Sequence, residues 1–458
     1  MPIASKIVPA HRDQHAGPDE DGAAVMNPLT HPHRSYRLAC VLTHPIQYQS
    51  PLFKYLAADP AIELTVFFLS KLSLNEYYDA GFGTRLRWDV PLLNGFHHVF
   101  LPSAGAGDAL TFWRPLVYGL RRNLAAGRFD ALWVHGYAHQ GLLRAILTAK
   151  TLGLGVLLRG ESQLADEPAS PARHGLKRAL LTRLFRIFDG FLAIGTRNRE
   201  YYLSYGVPER RIFTMPYAVD NEFFRDGADR ASGRRDQLRA ELKLEPGRAV
   251  ILYASKLQRH KRPGDLLEAF AQLIAKGTQR PNPYLLFVGD GAERMALEAR
   301  AHALPAGAVR FLGFRNQTEL PAYFDLCDVF VLASEHEPWG LIINEVMNAA
   351  KPVIASDRAG AAADLIINGD NGFVFPAGNI AALRDCLLEV LGDPARAARM
   401  GARSRARMAQ WDFRADRDGL LRALAFIRSS RGQSPCDEGG AAPYEARAEA
   451  PGGVTTAA

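Results

Sequence analysis

Short apolar runs recur along the chain, and a stretch with helical periodicity separates most of them from the next. In the first half they are residues 36–42, 62–69, 130–135, 155–159 and 190–194. Most of them end at a small or polar residue, such as Thr43, Gly136 or Gly160. Continuous apolar runs that stop at such residues are typical of buried parallel strands. The pattern therefore predicts a parallel sheet built from βαβ units.

The same pattern returns in the second half of the chain after a pause over the charged segment 221–248. The runs there are 249–253, 284–288, 309–312, 329–332, 352–355 and 372–375, and the chain from about residue 379 has helical periodicity. A chain of 458 residues is too long for one ordinary core. We therefore expect two α/β domains of the same style.

The boundaries of these domains follow from where periodicity starts and stops. Residues 1–34 and 431–458 are rich in small and polar residues without periodicity, and we expect a disordered lead and a disordered tail. The first domain is predicted over 35–220, and the second over 249–400. Segment 221–248 is predicted to be a loop-like linker, and 401–430 a final helical segment.

Composition narrows the classes of protein only slightly. Apolar residues make up 48% of the chain and charged residues 22%, which is ordinary for a globular protein. A net charge of +7 suits anionic substrates or an anionic membrane surface, and no nucleic-acid recognition motif is present. The four cysteines are scattered, and the sequence shows neither a signal peptide nor a long apolar span. These features predict a cytoplasmic protein. Peripheral contact with the inner face of the membrane stays open.

The segment 334–345 carries the most informative chemistry. Ligands of open α/β sheets bind outside the carboxyl ends of the strands, and this segment follows a predicted strand and opens a helix. The backbone N–H groups of Gly340, Leu341 and Ile342 would form a helix start that attracts phosphate. Glu337 and Glu345 flank it with carboxylates that accept hydrogen bonds from sugar hydroxyls. Together these features fit a nucleotide sugar.

The stretch from Glu337 to Glu345 resembles the motif of glycosyltransferase family 4, the retaining GT-B enzymes. The resemblance implies two facing Rossmann-like domains with a cleft between them, an acceptor-side domain at 35–220 and a donor-binding domain at 249–400. It also implies that Glu337 contacts donor-sugar hydroxyls, that Glu345 contacts ribose hydroxyls, and that 401–430 crosses back to the first domain. The alternative is a helix start with two solvated glutamates.

Other parts of the donor half follow the family order. Lys256 and Lys261 keep the spacing of a cationic pair that would stabilise the leaving diphosphate, although a lysine at 256 replaces the usual arginine and cannot grip phosphate bidentately. Gly289 and Gly291 resemble a turn that approaches the nucleotide. Phe314 resembles the segment beside the base. Taken singly, these last two features also occur at ordinary strand ends.

The N-terminal half offers acceptor-side candidates. His44 and Gln47 follow the first strand, where many family members have two glycines; the alternative is a proline-stiffened turn. His135 matches a histidine that lies near the reacting sugar, where it would bind donor hydroxyls or accept the acceptor's proton; the alternative is a structural histidine. Arg159 and Glu161 are predicted to line the acceptor pocket, with a structural ion pair as the alternative.

Residues 173–188 form a predicted basic amphipathic helix. Its apolar residues, predicted to share one face, are Leu176, Leu180, Leu184 and Ile187, and its cations are Lys177, Arg178, Arg183 and Arg186. Two interpretations stay open: a helix that lies on anionic lipid, or a helix packed on its own sheet with a solvated basic face.

These features lead to one functional hypothesis: retaining transfer of a hexose from a UDP- or GDP-sugar to an acceptor hydroxyl on a glycan or lipid-linked glycan. No metal or other cofactor is expected, because the two acidic triplets, 19–21 and 416–418, lie in the predicted lead and in a late helix. Alternatives are a sugar-nucleotide epimerase and a non-catalytic sugar-nucleotide sensor. The sequence does not favour a nicotinamide dehydrogenase, because no glycine-rich dinucleotide fingerprint follows the first strand.

Overall fold

The computed structural model describes residues 34–105, 110–167, 170–277 and 281–432. The predicted disordered lead and tail therefore lie outside the described residues, apart from Arg34, Arg431 and Gly432. From Ser35 onward the chain forms one unit that contains both sheets.

Within the described residues, the first sheet has seven parallel strands. They are β1 Tyr36–Leu42, β2 Ile62–Phe68, β5 His97–Phe100, β8 Ala131–His135, β9 Gly155–Arg159, β10 Gly190–Ala193 and β11 Ile212–Thr214, in the order β11-β10-β9-β8-β1-β2-β5. The five predicted strands are confirmed, and β5 and β11 extend the two edges. Two short antiparallel hairpins interrupt the βα pattern: β3 Tyr77–Asp79 with β4 Thr84–Leu86, and β6 Ser103–Ala104 with β7 Leu116–Val117.

Helices cover both faces of this sheet because alternate strand residues point to opposite sides. One face packs against α2 Leu120–Ala126, α3 Gln140–Thr151, α4 Pro171–Phe185 and α5 Thr196–Ser204. The other face packs against α1 Ser50–Ala57 and α15 Phe413–Ser430. The last helix of the described chain therefore completes the core of the first domain.

The second sheet has six parallel strands in the part of the chain that the structure describes, and all six predicted strands are confirmed. They are β12 Val250–Ala254, β13 Tyr284–Val288, β14 Val309–Phe311, β15 Val329–Leu332, β16 Val353–Ser356 and β17 Gly372–Phe375. Their order is β14-β13-β12-β15-β16-β17, so the strand order reverses between β12 and β15. A ligand of such a sheet binds at that reversal, outside the carboxyl ends of the strands.

The second sheet is also covered on both faces. One face carries α8 Pro263–Lys276, α9 Arg294–Ala301, α13 Ile380–Gly392 and α14 Pro394–Arg407. The other carries α6 Asn221–Ser232, α10 Leu320–Leu326, α11 Leu341–Asn348 and α12 Ala362–Leu365. None of the helices in the described part of the chain has the length and apolar character of a transmembrane span.

The prediction of a loop-like linker at 221–248 is wrong. The segment folds into α6 and a further helix, α7 Arg235–Glu241. The Asp220 side chain caps α6 by accepting a hydrogen bond from the Phe223 N–H, 3.0 Å away. Phe224 and Ala228 are buried in the core of the second domain. The apolar stripe was missed in the sequence because charged residues surround it in α6.

The chain returns from the second domain to the first at residues 408–412, between α14 and α15. Asn221 donates hydrogen bonds to the carbonyls of Met408 and Trp411, both at 3.0 Å. The Trp411 ring lies 5.4 Å from that of Trp339, and Asp412 caps α15 by accepting from the Ala415 N–H. The crossing therefore occurs at a short aromatic-anchored turn, and α15 rather than the whole of 401–430 packs on the first sheet.

Candidate active site

A cavity of about 330 Å³ lies where the carboxyl ends of both sheets face each other. Its lining includes residues predicted from the sequence, namely Gln47, Lys256, Lys261, Gly289, Phe314, Glu337, Gly340, Leu341, Ile342 and Glu345. The structure therefore brings ten of the fifteen sequence-predicted site residues to one cavity. Asp79, Phe82 and Trp88 of the first domain also line it and were not predicted.

The helix start at Gly340 forms the floor of this cavity. Gly340 has a φ of +94°, a backbone conformation that residues other than glycine rarely adopt. A Cβ at this position would also lie 3.0 Å from Leu332 and 3.2 Å from the Glu337 side chain. The first N–H groups of α11 have no partner within the helix, so the cavity floor offers hydrogen-bond donors and a positive helix end to an anion.

Glu337 lies beside this helix start and forms an ion pair with Lys261. Both side chains are mostly buried, with exposed fractions of 14% and 15%. Lys261 lies in a short turn after β12, and the Glu335 N–H donates to the His260 carbonyl at 2.8 Å, which ties that turn to the loop carrying Glu337. The pair holds a cation and a carboxylate at fixed positions on the cavity wall.

Glu345 lies in the second turn of α11 and lines the same cavity. Burial raises the pKa of its carboxyl to about 8. A buried carboxyl group that lines a cavity is a candidate for a functional role. Glu337 and Glu345 thus flank the helix start, as the spacing predicted.

Lys256 reaches across the cleft to the first domain. Its Nζ lies 2.9 Å from Oδ1 and 3.1 Å from Oδ2 of Asp79, and 4.9 Å from the centre of the Phe82 ring. Burial by itself would raise the pKa of Asp79. The hydrogen bonds from Lys256 and from the N–H groups of Phe82 and Gly81 outweigh that effect, and the pKa lies below its usual value.

Residues 77–86, which we call the cross-cleft hairpin, form the part of the site that sequence reasoning missed. Phe82 at its turn packs edge-on against Phe314 with ring centres 4.9 Å apart, and Trp88 lies 6.2 Å from the same ring. Asn316 donates to the Arg87 carbonyl at 2.7 Å, which holds the end of the hairpin against the second domain. The first domain therefore supplies one wall around Phe314.

The turn at Gly289 and Gly291 allows a close approach between two strand ends. Their φ angles are +128° and +150°, and added Cβ atoms would lie 2.0 Å from the Ser255 carbonyl oxygen and 2.5 Å from that of Leu257. Gly289 lines the cavity, whereas Gly291 packs against the backbone of Leu257. The turn thus positions the segment that carries Lys256.

A polar cluster lies at the carboxyl ends of β8 and β9, and its members His135 and Glu161 are not among the residues that line the cavity. The Gln49 amide lies 2.6 Å from Nε2 of His135, and Glu161 accepts hydrogen bonds from the hydroxyls of Tyr48 and Tyr217. Burial, with a smaller contribution from Arg159, lowers the pKa of His135 to about 3. His135 is therefore neutral at ordinary pH and is better suited to hydrogen bonding than to accepting a proton.

His44 turns toward its own loop. Its Nδ1 lies 2.9 Å from the Thr43 hydroxyl, and burial lowers its pKa to about 4. Gln47, three residues later, lines the cavity. Of the two residues predicted in this loop, Gln47 is the one that the structure places in the cavity lining.

The prediction that Arg159 lines the acceptor pocket is wrong. Its side chain is 1% exposed and donates to Asp416 at 2.8 Å and to the carbonyls of Met215 and Pro216 at 3.1 and 3.0 Å. The guanidinium also lies 4.7 Å from the Tyr217 ring. The structural ion pair is therefore formed with α15, and Asp416 of the late acidic triplet is buried in it.

The fold and the site together define the class of protein. The crystal structure of Alr3699/HepE from Anabaena in complex with UDP and glucose matches 85% of this chain and 99% of that chain, with a TM-score of 0.63 at 17% identity. Two doubly wound domains with a cleft between their strand ends are the GT-B fold, as predicted.

Residues 234–407 match the family model described as glycosyl transferases group 1. Over this segment the chain is similar to group 1 glycosyl transferases, which confirms the resemblance at that level. The narrower assignment to the retaining enzymes of family 4 stays a prediction.

Two curated relatives show how far the likeness extends. The glycogen synthase of Mycobacterium tuberculosis is 31% identical over 189 residues, covering 41% of this chain and 44% of that protein. The D-inositol 3-phosphate glycosyltransferase of Corynebacterium efficiens is 27% identical over 345 residues, covering 74% and 77%. This chain spans about half the length of the first curated relatives it matches.

Proposed function

We propose that this protein is a retaining glycosyltransferase that moves a hexose from a nucleoside diphosphate sugar to an acceptor hydroxyl. One observation carries the proposal: Glu337 and Glu345 flank the N-terminus of α11 in a cavity that also holds Lys256 and Lys261. Two carboxylates, two cations and a helix start match the hydroxyl groups and the diphosphate of such a donor.

The diphosphate is placed at the helix start, between its N–H groups and the two lysines. When the bond between the sugar C1 and the diphosphate oxygen breaks, the electron pair stays on that oxygen. The N–H groups of Leu341 and Ile342 and the ammonium of Lys261 are fixed before the reaction, so they stabilise the new negative charge without reorganising. Because these groups stabilise the charge of the leaving diphosphate, we propose no metal ion for that role.

The sugar and the ribose lie on opposite sides of the diphosphate. Glu337 accepts hydrogen bonds from the sugar hydroxyls, and its pairing with Lys261 keeps its carboxylate oriented. Glu345, deeper in α11, accepts from the ribose hydroxyls. The base then extends toward Phe314, where Phe82 of the cross-cleft hairpin and the nearby Trp88 contribute to the wall.

The acceptor approaches from the side of the first domain, where His135, Glu161 and Tyr217 form a hydrogen-bonded cluster. The acceptor oxygen forms the new bond to C1 on the face that the diphosphate leaves, and its proton passes to the departing phosphate oxygen. A neutral His135 with a pKa near 3 suits a role in holding hydroxyls in this scheme. The acceptor class we propose is a glycan or lipid-linked glycan.

Release of nucleoside diphosphate from a panel of UDP- and GDP-sugars tests the proposal. Glu337→Gln and Lys261→Ala should each lower the hydrolysis of the accepted donor by about a hundredfold or more. Glu335→Gln is the matched control, since its carboxylate is largely exposed two residues before Glu337 and should leave turnover unchanged.

Four outcomes would contradict the proposal. Turnover that survives both substitutions would place the site elsewhere. Tight binding of one nucleotide without turnover, even with added acceptors, would favour a sensor, and interconversion of donor sugars would favour an epimerase. An inverted anomeric configuration in the product, measured by proton NMR, would contradict retention.

A further inference from the structure

The outer helical layer of the first domain exposes large apolar side chains. Helices α2, α3 and α4 bury their inner faces in one core beside the sheet. Their outer faces and the loop before α2 expose Phe112, Trp113, Leu116, Tyr118, Leu147, Leu176 and Leu180. Trp113 is 69% exposed and Leu176 is 63% exposed. We call these seven side chains and the cations among them the basic apolar face.

Helix α4 divides its leucines between two sides. Leu184, near the end of α4, and Ile187, two residues beyond it, pack against the core. Leu176 and Leu180, one turn apart, are exposed. The predicted common face of these four residues is therefore wrong. The helix packs on its own sheet, as one of the two interpretations expected. Its outer side is not only basic, however, because it also exposes apolar side chains.

The aromatic part of the face lies at the cleft end of the domain. The Gln140 N–H, at the start of α3, donates to the Phe112 carbonyl at 2.9 Å, and His139 bonds to the Arg114 carbonyl at 3.0 Å. Because α3 follows the carboxyl end of β8, the loop carrying Phe112 and Trp113 is held near the carboxyl-end edge of the first sheet.

The charge of the face is predominantly positive, although Lys177 pairs with Glu167 at 3.2 Å. Residues 111–122 contain three cations, Arg114, Arg121 and Arg122, and residues 171–186 contain five, Arg173, Lys177, Arg178, Arg183 and Arg186. Neither segment contains an aspartate or a glutamate. Exposed Trp, Tyr and Leu side chains among cations suit the interface of an anionic bilayer, where rings sit at the headgroups and each cation adds attraction.

We propose that the basic apolar face docks this protein on an anionic lipid bilayer. Leucines of α4 and the rings of the 112–118 loop enter the headgroup region, and the arginines contact anionic headgroups. The cleft then opens next to the membrane surface. The docking does not depend on the donor chemistry proposed above, because none of these residues lines the cavity.

Co-sedimentation of the full chain with vesicles tests this proposal. The wild type should bind vesicles of phosphatidylcholine with phosphatidylglycerol, should bind phosphatidylcholine alone far more weakly, and should lose binding as salt is raised. Leu176→Ser with Leu180→Ser should weaken binding about tenfold. Arg122→Ser with Arg173→Ser should weaken it about fivefold for each cation removed.

Matched controls lie on the second domain. Met295→Ser removes an apolar side chain that is 82% exposed on α9, and Arg399→Ser removes a cation that is 67% exposed on α14. Both should bind vesicles as the wild type does, and all variants should keep the wild-type circular dichroism. Equal binding to both vesicle types, or full binding by the α4 variant, would overturn the proposal. Absence of vesicle binding with a self-association that the α4 variant loses would assign the face to a second copy of the chain instead.

Discussion

The carboxylate of Asp79, in the first domain, lies 2.9 Å from the ammonium of Lys256, in the second. The contact crosses the cleft, joins residues 177 positions apart in the chain, and is made inside the cavity proposed for the donor. Lys256 was predicted to bind the diphosphate. In this state its partner is a carboxylate of the protein itself, so a bound diphosphate would compete with Asp79 for the same cation.

Replacing Asp79 with asparagine should strengthen the binding of the nucleoside diphosphate. The amide keeps the size of the side chain but does not hold Lys256 by charge. Because the pair is partly exposed, we expect the affinity for the nucleoside diphosphate to rise by up to about fivefold. Isothermal titration with UDP and GDP measures it. Glu76→Gln is the control, since Glu76 pairs with Arg85 in the same hairpin region. Weaker binding by the Asp79 variant would mean that Asp79 orders the bound state instead.

Glu345 should make the stability of the fold depend on pH. Its pKa in the fold, about 8, lies above the usual value of 4.5. Below the usual value both folded and unfolded states are protonated. As the pH rises toward 8 only the unfolded state loses the proton, so stability falls. Glu345→Gln should therefore raise the midpoint of thermal unfolding at about pH 8 but not at about pH 4.

Glu335→Gln provides the comparison for that measurement, because its exposed carboxylate should show no such pH-dependent gain. Above about pH 8 the Glu345 variant should also bind the nucleotide more weakly, since it lacks the carboxylate for the ribose. A stability gain that is the same at both pH values would contradict the burial of this carboxyl.

The buried pair of Arg159 and Asp416 should be a strong determinant of stability. Both side chains are at most 1% exposed, so removing the carboxylate leaves a guanidinium without its charged partner in the core. Asp416→Ala should cost about 3–5 kcal/mol, and Asp418→Ala, which removes an exposed carboxylate on the same helix, about 1 kcal/mol or less. Burial raises the pKa of Asp416 to about 7, so thermal unfolding is best followed at about pH 8. Similar midpoints for the two variants would contradict a structural role for the pair.

Gly340→Ala should impair both folding and donor binding. The φ of +94° strains any residue with a Cβ, and the new methyl group would press on Leu332 and Glu337. We expect a loss of about 1–3 kcal/mol in stability and weaker nucleotide binding. Gly392→Ala, at a helical glycine with open space around its position, should be neutral or stabilising. Wild-type nucleotide affinity in the Gly340 variant would show that the helix start does not hold the diphosphate.

The strands and the donor half were predictable because their signals are local. Buried parallel strands read as continuous apolar runs, and the residues from Lys256 to Glu345 lie at successive strand ends of one sheet. The cross-cleft hairpin was not predictable, since β3 and β4 have three residues each and Asp79 meets its partner only after both domains fold. Arg159 was misassigned for the same reason, because Asp416 lies 257 residues away in sequence.

The structure of the protein with bound UDP or GDP, whichever binds, tests the central claim most directly. We predict that the diphosphate lies against the N–H groups of Leu341 and Ile342, that Glu345 accepts from the ribose, and that Lys256 has moved from Asp79 to a phosphate oxygen. A nucleotide bound away from α11, with Glu337 and Glu345 both free of contact, would contradict the account.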